Sequence, residues 1–280
     1  MAKLAIGIPC YNEEQHIAGT LLSAIQQLEY CSDLEILVSD NKSSDCTVSK
    51  VEDILDAVAI AKDRVTLVKQ DENIGAHQNF WQVYDKTDSE LFMWLGGHDQ
   101  ISGGYAQHGV AHMSEFSNAA LFSGKHRALN ADGAVTDHPI SYDFLQENPI
   151  ERYLQSIVQL SNCYIFHSIF RRKDFVNFQR ISAPGADHIL ISHLLWSGVL
   201  HQSDNCFYSR RYFSEANREA KSAQGAYPHE RNNMEFYDAY LQDLTQLVRP
   251  LPNLVGEAII TQAANLLIQR FGLPFFSHPE

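Results

Sequence analysis

The chemistry-bearing side chains of this chain stand at the ends of short apolar runs. Leu91 to Leu95 is one such run, and Gly96 and Gly97 break it before His98 and Asp99. Leu4 to Pro9 is a second, followed by Cys10, Tyr11, Asn12 and Glu13, and Leu34 to Val38 leads into Asp40 and Asn41. Short aliphatic runs bounded by turn residues read as strands buried on both faces. In an open α/β sheet, ligands bind outside the carboxyl ends of the strands. An acid placed there, such as Asp99, can hold a divalent metal on a phosphate. Taken alone, the same stretch also reads as a buried strand ending in an ordinary turn. Aromatic, carboxylate and amide groups at neighbouring strand ends can stack on a nucleobase and accept hydrogen bonds from it and from a ribose. Neither GxGxxG nor GxxxxGKS/T occurs, so no glycine-rich loop cradles a phosphate. That suits a nucleotide whose phosphates are carried by a metal.

The elements that must position these groups follow from periodicity. Ile17, Leu21, Leu22, Ile25 and Leu28 share roughly one helical face, with Asn12 as the predicted cap of a helix starting near Glu14. Leu34 to Val38 is the second strand. Val48, Val51, Ile54, Leu55 and Val58 mark a helix over about 47–61, capped by Ser44 or Asp45. Val65 to Lys69 is a third strand, and a helix runs over about 76–85 after the turn Asn73-Ile74-Gly75. The run from Leu91 is a fourth strand. Strand alternating with helix predicts a parallel, doubly wound sheet.

Composition narrows the function classes. The 280 residues are 45% hydrophobic, ample for one large core. A net charge of −13 speaks against a nucleic-acid surface, which needs clustered Lys and Arg. The five cysteines are widely spaced with no CxxC, which argues against a disulfide framework and for a reducing compartment. The opening MAKLAIGIPCYNEE does not read as a signal peptide, and no apolar run is long enough to span a bilayer. A cytoplasmic protein is expected, at most peripheral at the inner face of the membrane.

At the strand ends the chain resembles the family 2 glycosyltransferases of the GT-A fold. Pro9-x-Tyr11-Asn12-Glu13 is similar to their opening PxYNE. Val38 to Thr47 is similar to V-D/S-D-D/N-x-S-x-D-x-T, and Asn73-x-Gly75 followed by Asn79 to their NxGxxxxxN. Met93 to Asp99 resembles the strand leading into DxD. The resemblance is close over about residues 1–127 and thins beyond. It implies an α/β fold: a GT-A doubly wound, mostly parallel sheet with a nucleotide-sugar half (1–101), an acceptor half (102–210), and a lid loop with C-terminal helices (211–280). It implies that Pro9, Tyr11 and Glu13 line a nucleobase pocket, that Asp40 with Asn41 bonds the base, and that Asn73 and Asn79 shape the donor side. Asp99 matches the last acid of DxD, which binds the metal. The first acid of that motif is Gly97 here and the middle residue is His98, a candidate second ligand or donor-sugar contact. The implied cofactor is therefore Mn²⁺ or Mg²⁺ on one carboxylate, and an imidazole ligand would favour Mn²⁺.

The second half carries the remaining candidates. A helix is expected over about 104–116, a hairpin over 119–137, a helix over 149–160, and a β-type run from Cys163 to Phe170 ending in Arg171-Arg172-Lys173. Asp187 opens an apolar helix and reads as an N-cap carboxylate; the resemblance makes it the general base, in the place of the family's second acid. Residues 210–233 read as a polar loop. Its cations, Arg210, Arg211, Arg218, Lys221, His229 and Arg231, are candidates for the diphosphate. Amphipathic helices follow over 234–248 and 255–271. The expected activity is an inverting hexosyl or N-acetylhexosaminyl transfer, from a nucleotide sugar (a UDP-sugar foremost) to a saccharide or glycolipid, in surface polysaccharide or glycolipid assembly. The alternatives are a non-catalytic nucleotide-sugar-binding protein of the same fold, or a nucleotidyltransferase, whose usual GxGTR-type loop is absent here.

Overall fold

The computed structural model describes residues 2–175, 178–182, 185–213 and 233–272. Four parallel strands form the first half of one sheet, in the order β3 (Val65–Lys69), β2 (Leu34–Asp40), β1 (Ala2–Cys10), β4 (Ser89–Trp94). Helices α1 (Ile17–Ile25), α2 (Thr47–Ala57) and α3 (Ala76–Asp85) connect them. Leu4, Ile6 and Ile8 face α1 and α2 on one side, while Ala5 faces the aromatic layer of Phe92 and Trp94 on the other. Both faces of β1 are thus covered, which is why it reads as unbroken aliphatic sequence. Gly7 permits a close approach of α3, since a Cβ there would lie 2.6 Å from Val83 Cγ2.

The sheet continues past β4 in a mixed pattern. Next come β8 (Ile169–Arg171), β6 (Ala119–Leu129), β9 (Val199–Arg211) and the short β5 (Gln100–Ile101). β8 is antiparallel to both β4 and β6, whereas β6 and β9 run parallel. β7 (Val135–Asp137) closes the expected hairpin on β6. Helix α4 (Tyr105–Glu115) covers this half, and α5 (Pro149–Gln159) and α6 (Ala186–Ser197) lie on its other side.

The C-terminal helices α7 (Asn233–Val248) and α8 (Asn253–Phe271) join α5 and α6 in a third apolar cluster, with Tyr153, Ile189, Tyr240 and Leu267 at its centre. Buried polar contacts tie α7 to α6 and α5. His193 Nδ1 donates to Asp243 Oδ1 at 2.8 Å, and the Tyr153 hydroxyl donates to Asp243 Oδ2 at 3.1 Å. Among the described residues no helix is long and apolar enough to cross a membrane.

Several local expectations differ from the fold. Helix α1 starts at Ile17, with no acid in its first turn and no side-chain cap. Asn12 instead adopts φ 52, a left-handed conformation that Asn tolerates, and its Oδ1 accepts from Ser44 N at 2.8 Å. Cys163 to His167 is a 3-10 turn, and only Ile169–Arg171 is strand. The basic triplet is mostly internal. Arg171 is buried and donates to the carbonyls of Ala119, Met113 and Phe116. Arg172 lies 4.1 Å over the Tyr84 ring and donates to its carbonyl. Arg210 and Arg211 belong to β9 rather than to a loop. The other expected lid cations, Arg218, Lys221, His229 and Arg231, lie outside the described residues.

Candidate active site

The parallel strands β1, β2 and β4 bring their carboxyl ends side by side, and a cavity of about 250 Å³ opens there. Pro9, Tyr11, Glu13, Asn41, Asn73, Asn79, His98, Asp99 and Arg210 all line it. Asp40 and Arg211 stand just behind the wall rather than in it. Asp40 is buried, and its Oδ2 accepts from Ser43 N at 3.0 Å, which folds the loop after β2.

Two loops interlock to make one end of this cavity. Besides the Asn12–Ser44 bond, Asn12 N donates to Ser43 Oγ at 2.9 Å and Glu13 N to Thr47 Oγ1 at 2.8 Å. Asp45 Oδ1 accepts from Thr47 N at 2.9 Å, but the N-cap of α2 is Cys46, one residue later than expected, and its side chain makes no cap bond. Asn41 Nδ2 donates to Asn73 Oδ1 at 2.8 Å, which draws the turn before α3 against β2. Asn79 accepts from Ser39 Oγ at 2.7 Å and donates to the Ser39 carbonyl at 3.0 Å. Its amide is committed to strapping α3 onto the strand ends. Tyr11, half-buried, leaves its ring at the cavity wall.

The other end centres on Asp99, which is 2% exposed. Its Oδ2 accepts from the Tyr208 hydroxyl at 2.5 Å and its Oδ1 from Arg211 N at 2.7 Å. Arg211 Nε donates to the His98 carbonyl at 3.1 Å, and His98 Nδ1 lies 2.8 Å from Glu13 Oε1. Arg210 reaches the cavity from β9, with Nη1 donating to Asn162 Oδ1 at 2.8 Å. Burial by itself would lower the affinity of Arg210 for its proton. The negative charge of Asp99, with smaller contributions from Tyr208, Tyr212 and Asp187, turns the net shift upward. Arg210 is thus a firmly charged guanidinium at the cavity wall.

The donor set does not make a metal cage. Asp99 is the one acid of the expected motif, and both its oxygens already accept hydrogen bonds. Gly97 is closely packed: a Cβ there would lie 3.0 Å from Cys10 Cβ and 3.1 Å from the Pro9 carbonyl oxygen, so a further acid would need these neighbours to give by a few tenths of an ångström. His98 turns toward Glu13, and its Nε2 is 3.9 Å from Asp99 Oδ1. Among the described residues no three His, Cys, Asp or Glu side chains group as metal ligands do. Hard divalent ions need oxygen ligands at close range, and what this site supplies around Asp99 is positive charge and hydrogen-bond donors.

A second cavity, of about 280 Å³, lies beside the first and contains Asp187. Ala76, Phe80 and His167 line both. Apart from His77, its wall is otherwise apolar and aromatic, including Trp81, Trp94, Phe166 and Leu190. The indole N–H groups are used internally, Trp94 Nε1 donating to the Phe80 carbonyl at 2.8 Å and Trp81 Nε1 to His77 Nε2 at 3.1 Å. Asp187 sits in the first turn of α6, where its Oδ1 accepts from His188 N at 2.9 Å. The backbone turns into this helix at Gly185, φ 78, against Phe236 of α7. Burial, and next the negative charge of Asp187, raises the pKa of the Cys163 thiol.

Sequence reasoning missed Tyr208, His167, Phe80, Asn162 and Cys163. One signal was available. Cys206, Tyr208 and Arg210 alternate as a strand does, and Cys206 and Tyr208 are buried. The polar tail Ser209-Arg210-Arg211 hid that period.

The mixed sheet is that of the GT-A glycosyltransferases. Residues 1–349 of S. aureus TarS, solved in complex with UDP-GlcNAc, superpose with a TM-score of 0.66 at 14% identity, over 96% of this chain and 73% of that one. The mannosyltransferase PcManGT from Pyrobaculum calidifontis, in complex with GDP-Man and Mn²⁺, superposes with a TM-score of 0.56 at 13% identity, over 98% of this chain and 76% of that one. No curated protein sequence matches the chain. The model of glycosyl transferase family 2 matches residues 5–177, and the chain belongs to that family. The match extends beyond the motifs near the N-terminus and ends before Asp187, Arg210 and Arg211.

Proposed function

We propose that the protein is an inverting glycosyltransferase. It moves a hexosyl or N-acetylhexosaminyl group from a nucleotide-diphosphate donor, a UDP-sugar foremost, to a hydroxyl of a saccharide or glycolipid. One observation carries this reading: a polar cavity ending at Asp99 and Arg210 adjoins an aromatic cavity holding Asp187, and they share Ala76, Phe80 and His167. The fold neighbours support it, since TarS holds UDP-GlcNAc and PcManGT holds GDP-Man.

The nucleoside lies along Pro9, Tyr11 and Asn41, and the diphosphate points at Arg210. The acceptor hydroxyl oxygen attacks the anomeric carbon from the side of the second cavity. Its bond forms as the bond from that carbon to the diphosphate oxygen breaks, with inversion. The hydroxyl proton passes to the Asp187 carboxylate. The negative charge that grows on the leaving diphosphate is met by the Arg210 guanidinium. Asp99 holds Tyr208 and the Arg211 backbone, and so fixes the end of β9 from which Arg210 projects.

Asp187→Asn keeps the shape and removes the base. Transfer should fall by about 10²–10⁴-fold, while UDP affinity measured by calorimetry stays within about twofold. Wild-type turnover in that variant would remove Asp187 from the mechanism.

A further inference from the structure

We infer that His167 reads the transferred sugar, its Nε2 accepting a hydrogen bond from a hydroxyl or acetamido N–H of the donor's glycosyl group. The inference rests on the donor reading above and adds a residue that decides which sugar is taken. If the nucleotide occupies the first cavity and Asp187 lies in the second, the group in transit must sit where they meet. Of the residues common to both cavities, Ala76 and Phe80 are apolar and only His167 has a polar side chain.

The chemical state of that side chain follows from its contacts. Nδ1 lies 3.0 Å from the Trp94 carbonyl oxygen. A carbonyl only accepts, so Nδ1 carries the hydrogen and donates. Burial pushes the imidazole down to about 4, with the charge of Asp99 opposing, so the ring is neutral at physiological pH and Nε2 holds a lone pair. The ring is fixed by stacking on Tyr208, with centroids 4.9 Å apart and planes 14° apart. Tyr208 is itself fixed by Asp99. Among the described residues Nε2 has no hydrogen-bond partner, and it is not sealed in by protein. A rigid acceptor with a set tautomer, open at the seam of two cavities, favours a ligand that presents a donor there. It disfavours one that lacks it, because the lone pair is then left dry. Phe80 beside it offers an apolar face for the C–H side of the same sugar ring.

The test compares nucleotide sugars with the nucleotide alone. Binding of UDP-glucose, UDP-N-acetylglucosamine and GDP-mannose is measured against UDP and GDP by calorimetry, and the best donor is then compared with its monodeoxy analogues. In wild type, one deoxy position should cost about tenfold. His167→Asn retains an N–H for the Trp94 carbonyl and removes the Nε2 acceptor. It should lower affinity for the best donor by about tenfold and leave UDP or GDP binding within about twofold. The sensitive deoxy position should then cost nothing further, a coupling that a purely structural role would not produce. Equal deoxy losses in wild type and His167→Asn would overturn the assignment. So would a wild type in which every deoxy donor binds within about twofold of the parent, a result that needs no variant. Failure of wild type to bind any of the nucleotide sugars would overturn the donor reading itself, and is recognised because no variant is involved.

Discussion

The two cavities that meet at His167 are built in opposite ways. The first is walled by strand-end loops whose polar atoms lace β1 to β2 and α3, as in the Asn12–Ser44, Asn41–Asn73 and Asn79–Ser39 bonds. The second is walled by aromatic rings gathered from α3, β4, the Cys163–His167 turn and Phe178, with the indole N–H groups turned inward and Ala186, Asp187 and Leu190 of α6 completing it. A nucleotide asks for hydrogen-bonding groups at fixed strand ends, and every parallel sheet supplies those ends. A saccharide face asks for broad apolar surface, which only convergence of distant segments provides. The difference teaches that the first cavity is built mostly from neighbouring strand ends, and the second from segments far apart in the chain.

That contrast can be broken at Arg210. If the first cavity holds the diphosphate, Arg210→Gln should weaken UDP binding by about 10–100-fold, the loss expected for a charge-assisted contact. Asp187→Asn should leave that binding alone. Equal UDP affinity in wild type and Arg210→Gln would move the diphosphate elsewhere.

Acid should act through the second half. Burial lowers His126 to about 3, and His167 and His188 to about 4, all below the 6.5 of a free imidazole. As pH falls the unfolded chain therefore takes up protons first. The stability these groups contribute is fully present above pH 6.5 and is lost as pH falls toward 4. Each histidine adds up to about 1.4 kcal/mol per pH unit to that slope. Urea melts at pH 7, 5.5 and 4.5 check it, and a flat midpoint across that range would contradict the burial of these rings.

The smallest expected effect concerns metal. Because the Asp99 oxygens accept from Tyr208 and Arg211, chelation with EDTA should change UDP affinity by no more than about twofold. A loss of tenfold or more, restored by Mn²⁺ or Mg²⁺, would place an ion on Asp99 and assign the diphosphate charge to it.

The nucleotide half was largely legible from the residues. Val65–Lys69 is the third strand as expected, and the helix after Asn73-Ile74-Gly75 starts at Ala76. Strands buried on both faces, and helices with one apolar face, write their periods directly into the chain. Most of the expected donor residues share one wall for the same reason, since Tyr11, Glu13, Asn41, Asn73 and His98 follow strand ends, while Asn79 joins them from α3 and Arg210 from β9. Asp40 and Arg211 stand behind the wall because their polar atoms hold the loop after β2 and the end of β9. Strand β9 has no counterpart among the sequence expectations, because the half-buried Arg210 and Arg211 at its end look like loop residues until their partners are known.

The sequence by itself determined the order of the first four strands and of the helices between them, the strand-end motifs, the family they resemble and the isolated acid at Asp99. Only the tertiary structure decided what surrounds that acid. β9 pairs with β6, Ala128 opposite Arg210 and Leu129 opposite Arg211, and this register carries Tyr208 and Arg210 onto Asp99 from more than a hundred residues away. The same folding lays His167 between two cavities and gives it one tautomer. The physical reason is that periodicity reports which face of an element is buried. Against what it is buried depends on register between segments far apart in the chain, and there the site is made.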